Sequence, residues 1–330
     1  MKIKFKIKRY NPADTETPEP YIQAYMLEVP EGMTLLEALL KIADEQDPTL
    51  SFRKSCRSAI CGSCAVSING FSKLACNTQV IPEFKKAGEM LIEPLANHTP
   101  LKDLIVDFAP FWRKMEKVAP YLTPTEGASA PAVTPEDEER VDRSQRCIMC
   151  GCCNGECNAL SIDERFIAPA ALAKAWRIVG DVREGNARRR LHRLSEDHGM
   201  WDCVRCVHCT QYCPKDVAPL KAIEELRSAA MKEGITDNPG AKHVEAMKDS
   251  VERFGRLDEA AMTFKTLGFL RSLGMIPFGL RMEKHGKLPR PHIFAQIEEL
   301  DEVKKIYEES ERRAKEEKRE KESKKGYFWN

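Results

Sequence analysis

Eight cysteines fall into two copies of one spacing, and that repeat narrows the possible folds more than any other feature of the chain. Cys147, Cys150, Cys153 and Cys157 read C-x2-C-x2-C-x3-C; Cys203, Cys206, Cys209 and Cys213 repeat it, and Pro214 follows the last. This is the spacing that holds two cubane iron–sulfur clusters, with the fourth cysteine of each run serving the other run's cluster. The crossover gives one 4Fe–4S set of Cys147, Cys150, Cys153 and Cys213, and a second of Cys203, Cys206, Cys209 and Cys157. Such cross-ligation would staple two helical segments together, so metal binding and folding of this region are coupled. Cys152 stands outside the interval and reads as a small buried hydrophobe.

Four more cysteines, Cys56, Cys61, Cys64 and Cys76, lie in SCRSAICGSCAVSINGFSKLAC. C-x4-C-x2-C with a later fourth cysteine is the plant-type arrangement for a 2Fe–2S cluster. The small residues Ser58, Ala59, Gly62 and Ser63 let backbone amides approach the sulfides, which tunes the potential. Asn69-Gly70 predicts a type I′ hairpin that returns the chain so that Cys76 reaches the second iron. Buried free thiols and a zinc knuckle are the weaker readings, since the x4 interval and the glycine-containing wrapping are not typical of zinc sites.

The 13 cysteines sit at ligand spacings, and the N-terminus, Met-Lys-Ile-Lys-Phe-Lys, shows no apolar h-region. Thiolate ligation in a reducing cytosol therefore fits better than disulfides. With 52 basic and 51 acidic residues, the net charge of +1 gives no global pull toward nucleic acid or anionic lipid. No uncharged apolar run approaches the ~18 residues of a membrane span. The nearest, 260–282, is interrupted by Lys265, Arg271 and Pro277. The expected location is cytoplasmic, peripheral to the inner membrane through partner subunits.

The predicted fold class is α+β. Residues 1–97 read as a β-grasp, 2Fe–2S ferredoxin-like domain, with strands at Lys2–Arg9 and Tyr25–Val29 and a helix capped by Thr34 that runs to Asp44. Residues 98–139 read as a connecting helix, Pro100–Val118, and a linker rich in Pro, Ala, Thr, Ser and acid. Residues 140–232 read as an all-α two-cluster domain. Residues 233–330 read as a helical extension, with Phe264, Leu267, Leu270 and Leu273 recurring every three residues. Its charged tail, 299–325, carries i,i+4 pairs such as Glu308/Arg312 and Glu311/Lys315 and reads as a solvated helix, and Tyr327-Phe328-Trp329 reads as a frayed end. Arg53, Lys54 and Arg57, and then Arg146, Arg205, His208 and Lys215, flank the cysteines, either to offset anionic clusters or to dock partners. No His, Ser or Asp constellation suggests acid–base or nucleophilic catalysis, and His192, His198, His243 and His285 read as surface or capping residues.

A plant-type domain followed by a bacterial-ferredoxin-type domain resembles the iron–sulfur subunit of succinate dehydrogenase and fumarate reductase. The resemblance covers roughly residues 1–232. Besides the first cysteine run it rests on VDFAPFWRKMEKVAPYL, CIMCGCCNGEC, IAPAALAKAWRIVGDVRE and CPKDVAPLKAIEELR. It implies an oxidoreductase subunit serving the tricarboxylic acid cycle or anaerobic respiration. A separate FAD-containing flavoprotein would interconvert succinate and fumarate, and this chain would carry electrons to a quinone-linked partner, with no catalytic residue of its own.

Two departures stand out. The usual member lacks a cysteine at the position of Cys206 and so carries 3Fe–4S last; Cys206 supplies the missing ligand here and predicts a second 4Fe–4S, with 3Fe–4S as the alternative. The Pro and tryptophans that help form the family's quinone pocket are replaced by Asn158, Ala159, Leu160, Ser161, Ile162 and Asp163. Both departures resemble the anchorless branch, whose third subunit carries CCG domains; the resemblance implies a CCG-domain or membrane-anchor subunit as partner, with a menaquinone-type quinone reached through it. FLRSLGMIPFGLRMEKHGKLP is similar to the C-terminal part of the small heterodisulfide-reductase iron–sulfur subunit, which implies that residues 233–300 dock the CCG-domain partner. The alternatives are a thiol-dependent fumarate reductase, a heterodisulfide-reductase-like complex, or a non-catalytic module in which clusters act as staples or sensors.

Overall fold

A computed structural model describes residues 1–14, 19–125, 127, 131–287 and 296–326. The chain divides into two compact units, 1–234 and 235–330. The first begins with β1 (Lys2–Arg9), β2 (Tyr21–Glu28) and α1 (Leu35–Glu45), then β3 (Ala65–Ile68), β4 (Phe71–Leu74), α2 (Val80–Ala87) and β5 (Met90–Glu93). The sheet order is β2-β1-β5-β3-β4; β1 runs parallel to β5 and antiparallel to β2, and β3 is antiparallel to both neighbours.

Alternation in β1 buries Ile3, Phe5 and Ile7 and leaves Lys2 and Lys4 outside. These apolar residues share a core with Leu35, Leu39 and Ile42 of α1. Thr34 and Glu37 form a reciprocal capping box that starts α1: the Glu37 amide donates to Thr34 Oγ1 at 3.3 Å and the Thr34 amide to Glu37 Oε2 at 2.7 Å. Asn69 and Gly70 both adopt positive φ at the tip between β3 and β4.

The expected helix over Pro100–Val118 is wrong in its first half. Residues Pro100–Lys102 (β6) and Ile105–Val106 (β7) pair as a small hairpin, and only α3 (Ala109–Lys117) is helical. The hairpin is held by a non-local ion pair. Asp103, 2 % exposed, accepts from Arg9 Nε at 2.9 Å, from the Tyr10 amide at 3.0 Å and from the Ser51 amide at 2.8 Å. Arg9 also donates to Gln23 at 2.8 Å, to Thr49 at 2.9 Å and to Asp47. This buried network fixes the segment that leads into the first cysteine loop.

Helices follow: α4 (Pro135–Gln145), α5 (Cys152–Gly155), α6 (Asn158–Ile162), α7 (Pro169–Val179), α8 (Ala187–Leu194), α9 (His208–Gln211) and α10 (Pro219–Lys232). Thr134 caps α4, so helix begins inside the stretch read as linker. The two halves of this region repeat one design. Met149 and Gly151 in the first run, and Arg205 and Val207 at the same positions in the second, all have positive φ. Ala168-Pro169 starts α7 and Ala218-Pro219 starts α10, again with positive φ at both alanines, and the two helices pack together.

The second unit contains α11 (Pro239–Phe254), α12 (Glu259–Leu267), α13 (Phe269–Lys284) and α14 (Leu300–Gly326). Gly268, at φ +77°, separates α12 from α13, so the three-residue apolar spacing straddles two helices. Phe269, Leu270, Ile276, Phe278 and Leu280 of α13 are exposed. On α14, Arg312 pairs with Glu309 and Glu316 rather than with Glu308. The terminal Tyr327, Phe328 and Trp329 lie outside the described residues. Among the described residues, no helix is long and apolar enough to cross a membrane.

Candidate metal centres

The first loop wraps its sulfur atoms in amide hydrogens. Cys56 Sγ accepts from the amides of Ser58 at 3.4 Å, Ile60 at 3.3 Å and Cys61 at 3.2 Å; the Ala59 amide donates to Cys76 Sγ at 3.2 Å and the Cys76 amide to Cys64 Sγ at 3.5 Å. Positive φ at Arg57, Ala59 and Gly62 turns those amides inward. Hydrogen bonding, first from the Ser63 side chain, lowers the Cys61 thiol to about 6, whereas burial pushes Cys64 up to about 12. Four convergent sulfurs with amide donors fit a 2Fe–2S cluster, because N–H···S bonds stabilise thiolate and sulfide charge. Cys61 and Ile60, the latter 65 % exposed, stand at the surface beside the exposed Arg53, Lys54 and Arg57.

The second and third groups interleave. Cys147, Cys150 and Cys153 line one small cavity with Cys213, which arrives from the other run. Cys157 lies within electrostatic reach of Cys203 and Cys206, and Cys209 within reach of all three. Burial is the main cause that raises Cys147, Cys153, Cys157 and Cys213, and it takes Cys209 up to about 12. Two groups of four soft donors in a largely apolar setting suit cubane clusters. Cys206 stands with the second group, and Cys153 of the first is within electrostatic reach of Cys209 of the second. Cys152 is fully buried against the core of the N-terminal domain.

Val207 carries a cost that its counterpart Gly151 avoids. A β-branched residue at φ +70° is strained, by about 1–2 kcal/mol. Gly151 is doubly required: its φ is +83°, and a Cβ there would lie 3.1 Å from the Phe108 ring. Val207→Gly is therefore expected to make the second group more resistant to thermal loss of its visible absorbance; an unchanged or lower melting point would contradict the strain.

Several residues that join the two cysteine regions were not visible as a motif. Asn97 Nδ2 donates to the carbonyls of Asn154 at 2.9 Å, Gly155 at 3.2 Å and Cys157 at 3.1 Å. The Ser72 amide donates to Glu156 Oε1 at 2.6 Å, and Phe71 stacks on Tyr212 at 4.7 Å between centroids. Gly62 makes a close backbone approach. A Cβ on it would sit 2.7 Å from Cys150 Cβ and 2.9 Å from its Cα. Gly62→Ala, at φ +75°, is expected to destabilise the unit by about 2–4 kcal/mol through strain and overpacking. A thermal midpoint equal to the parent's would refute that contact.

Comparison with known proteins agrees with this layout. The family described as 2Fe-2S iron-sulfur cluster binding domain matches residues 4–113, and the 4Fe-4S dicluster domain family matches 143–217. The 8-methylmenaquinol:fumarate reductase iron-sulfur subunit of Wolinella succinogenes is 35% identical over 302 residues, covering 88% of this chain and 92% of that protein. The chain belongs to the fumarate reductase iron–sulfur subunit family. It is an oxidoreductase subunit with a 2Fe–2S domain followed by a 4Fe–4S dicluster domain. A chain of the Mycobacterium smegmatis Sdh1 complex in the apo form shares the fold at a TM-score of 0.63 and 21% identity, with 70% of this chain and 96% of that one covered.

Proposed function

We propose that Cys56, Cys61, Cys64 and Cys76 hold one 2Fe–2S cluster, that Cys147, Cys150, Cys153 and Cys213 hold a 4Fe–4S cluster, and that Cys203, Cys206, Cys209 and Cys157 hold a second 4Fe–4S. Bound in this way, the clusters supply one-electron transfer. The observation that carries the reading is the placement of the three cysteine groups in series. Gly62 of the first loop lies against Cys150 of the second group, and Cys153 is within reach of Cys209 of the third. The two ends of this series are exposed. Ile60 and Cys61 stand at one, and Val204, 64 % exposed, and Val207 at the other.

The chain then carries electrons between an FAD-bearing flavoprotein that interconverts succinate and fumarate and a menaquinol-linked partner, the donor class named for its Wolinella relative. The cationic face at Arg53, Lys54 and Arg57 suits the flavoprotein, and the exposed apolar α13 suits the CCG-domain partner, through which the complex lies at the inner membrane. The quinol-linked relative favours this reading over a heterodisulfide-reductase-like one. The test is iron and acid-labile sulfide analysis of the anaerobically purified complex. About ten irons and ten sulfides per copy of this chain are expected, with all centres reduced by succinate or reoxidised by fumarate. A lower content, with zinc or free thiols at the remaining cysteines, overturns the assignment.

A further inference from the structure

Arg227, on α10, is a buried cation without a carboxylate partner among the described residues. It is 6 % exposed. Its guanidinium donates only to main-chain carbonyls: Met200 at 3.0 Å from Nε and 2.6 Å from a terminal nitrogen, Trp201 at 3.0 Å and Cys203 at 2.8 Å. It also lies over the Trp201 ring, 5.2 Å from the centroid. Asp202 and Glu224 act on it at longer range, opposed by Arg205.

The internal repeat shows what is unusual. Aligning Pro169 of α7 with Pro219 of α10 places Arg177 opposite Arg227. Arg177 is neutralised by Asp181 at 2.6 Å, which a second arginine, Arg183, also clasps. The position of Asp181 is occupied by Met231 in the second half. The acid is thus missing from the half where the arginine is most buried. An unpaired buried cation is costly unless an anion lies near. Carbonyl dipoles offset part of that cost, and Cys203, whose carbonyl the guanidinium holds at 2.8 Å, belongs to the second cysteine group and acts on the guanidinium electrostatically.

We infer that Arg227 is the fixed counter-charge of the second cysteine group and raises the reduction potential of the cluster held there. The inference rests on the proposed ligand set. The sign follows from charge: a cluster gains negative charge on reduction, and a neighbouring cation in a weakly screened interior favours that state. Arg227 is a positioning residue as well, since it ties the segment 200–203 that presents Cys203, and the two roles separate experimentally.

The experiment is an EPR-monitored redox titration of the purified complex carrying the parent chain, Arg227→Gln or Arg227→Lys. Arg227→Gln is expected to shift the reduction equilibrium of the distal centre about tenfold toward the oxidised form, ~59 mV for one electron. The other two centres are expected to stay unchanged, and Arg227→Lys to stay near the parent. Equal distal potentials in parent and Gln variant overturn the inference, as does a Lys variant that shifts as far as Gln or a common shift of all centres. If the Gln variant loses the distal centre, the Lys variant decides: retention at the parent potential supports the charge, and loss overturns it. A parent complex with no distal 4Fe–4S signal sinks the ligand reading itself, and the inference with it; a signal present but unmoved sinks the inference alone.

Discussion

Replacing Cys206 by alanine is expected to turn the distal cluster from 4Fe–4S into 3Fe–4S, with a new low-temperature EPR signal in the oxidised state. Cys206 is one of four sulfurs in its group; Cys203 and Cys209 flank it in the same loop, and Cys157 comes from the other run. Removing it leaves three thiolates in place and one iron without a protein ligand. The 2Fe–2S centre and the Cys147 group share no residue with it, so their spectra should not move. A parent protein that already shows the 3Fe–4S signal when intact, or a variant that keeps the parent's spectrum, would show that Cys206 is no ligand.

Asp103→Ala should be the most damaging change away from the cysteines. It strips the buried Arg9 guanidinium of one carboxylate and leaves the Tyr10 and Ser51 amides without their acceptor. Breaking a buried pair by removing one partner costs about 3–5 kcal/mol; Asp47 still faces Arg9, so the lower figure is expected. Because Ser51 leads into the loop that carries Cys56, the 2Fe–2S absorbance should bleach on heating well before that of the parent, while Asp103→Asn, which keeps one acceptor oxygen, should fall between. Bleaching of Asp103→Ala at the parent's temperature would mean that the network does not anchor the loop.

What was legible in the sequence was local. Cysteine intervals are set by how far a loop can reach around an inorganic core, so the three groups could be drawn before any fold was known. Alternation in Lys2–Arg9, the Thr34 cap and the Asn69-Gly70 turn likewise act over a few residues. The misreading of Pro100–Val118 had a tertiary cause. Its first eight residues become a hairpin because Asp103 meets Arg9, 94 positions away. The same applies to Asn97 and Arg227, whose partners are main-chain carbonyls; any residue supplies a carbonyl, so no spacing announces such a bond. Gly62 was visible as a small residue, but the neighbour that demands its smallness, Cys150, lies on a different domain.

The exchange of Cys157 and Cys213 between the two halves has a consequence for biosynthesis. Sulfurs for the first loop are complete once residue 76 has left the ribosome, so that domain can mature while translation continues. Cys147, Cys150 and Cys153 must wait for Cys213, and Cys157 waits for Cys209, so a nascent chain ending near residue 200 displays four unfinished thiols at once. With that ligand set, delivery of iron to this half would be a late event that follows release of Cys213, and a stalled or truncated product would present reactive sulfurs to oxygen and to stray copper or zinc.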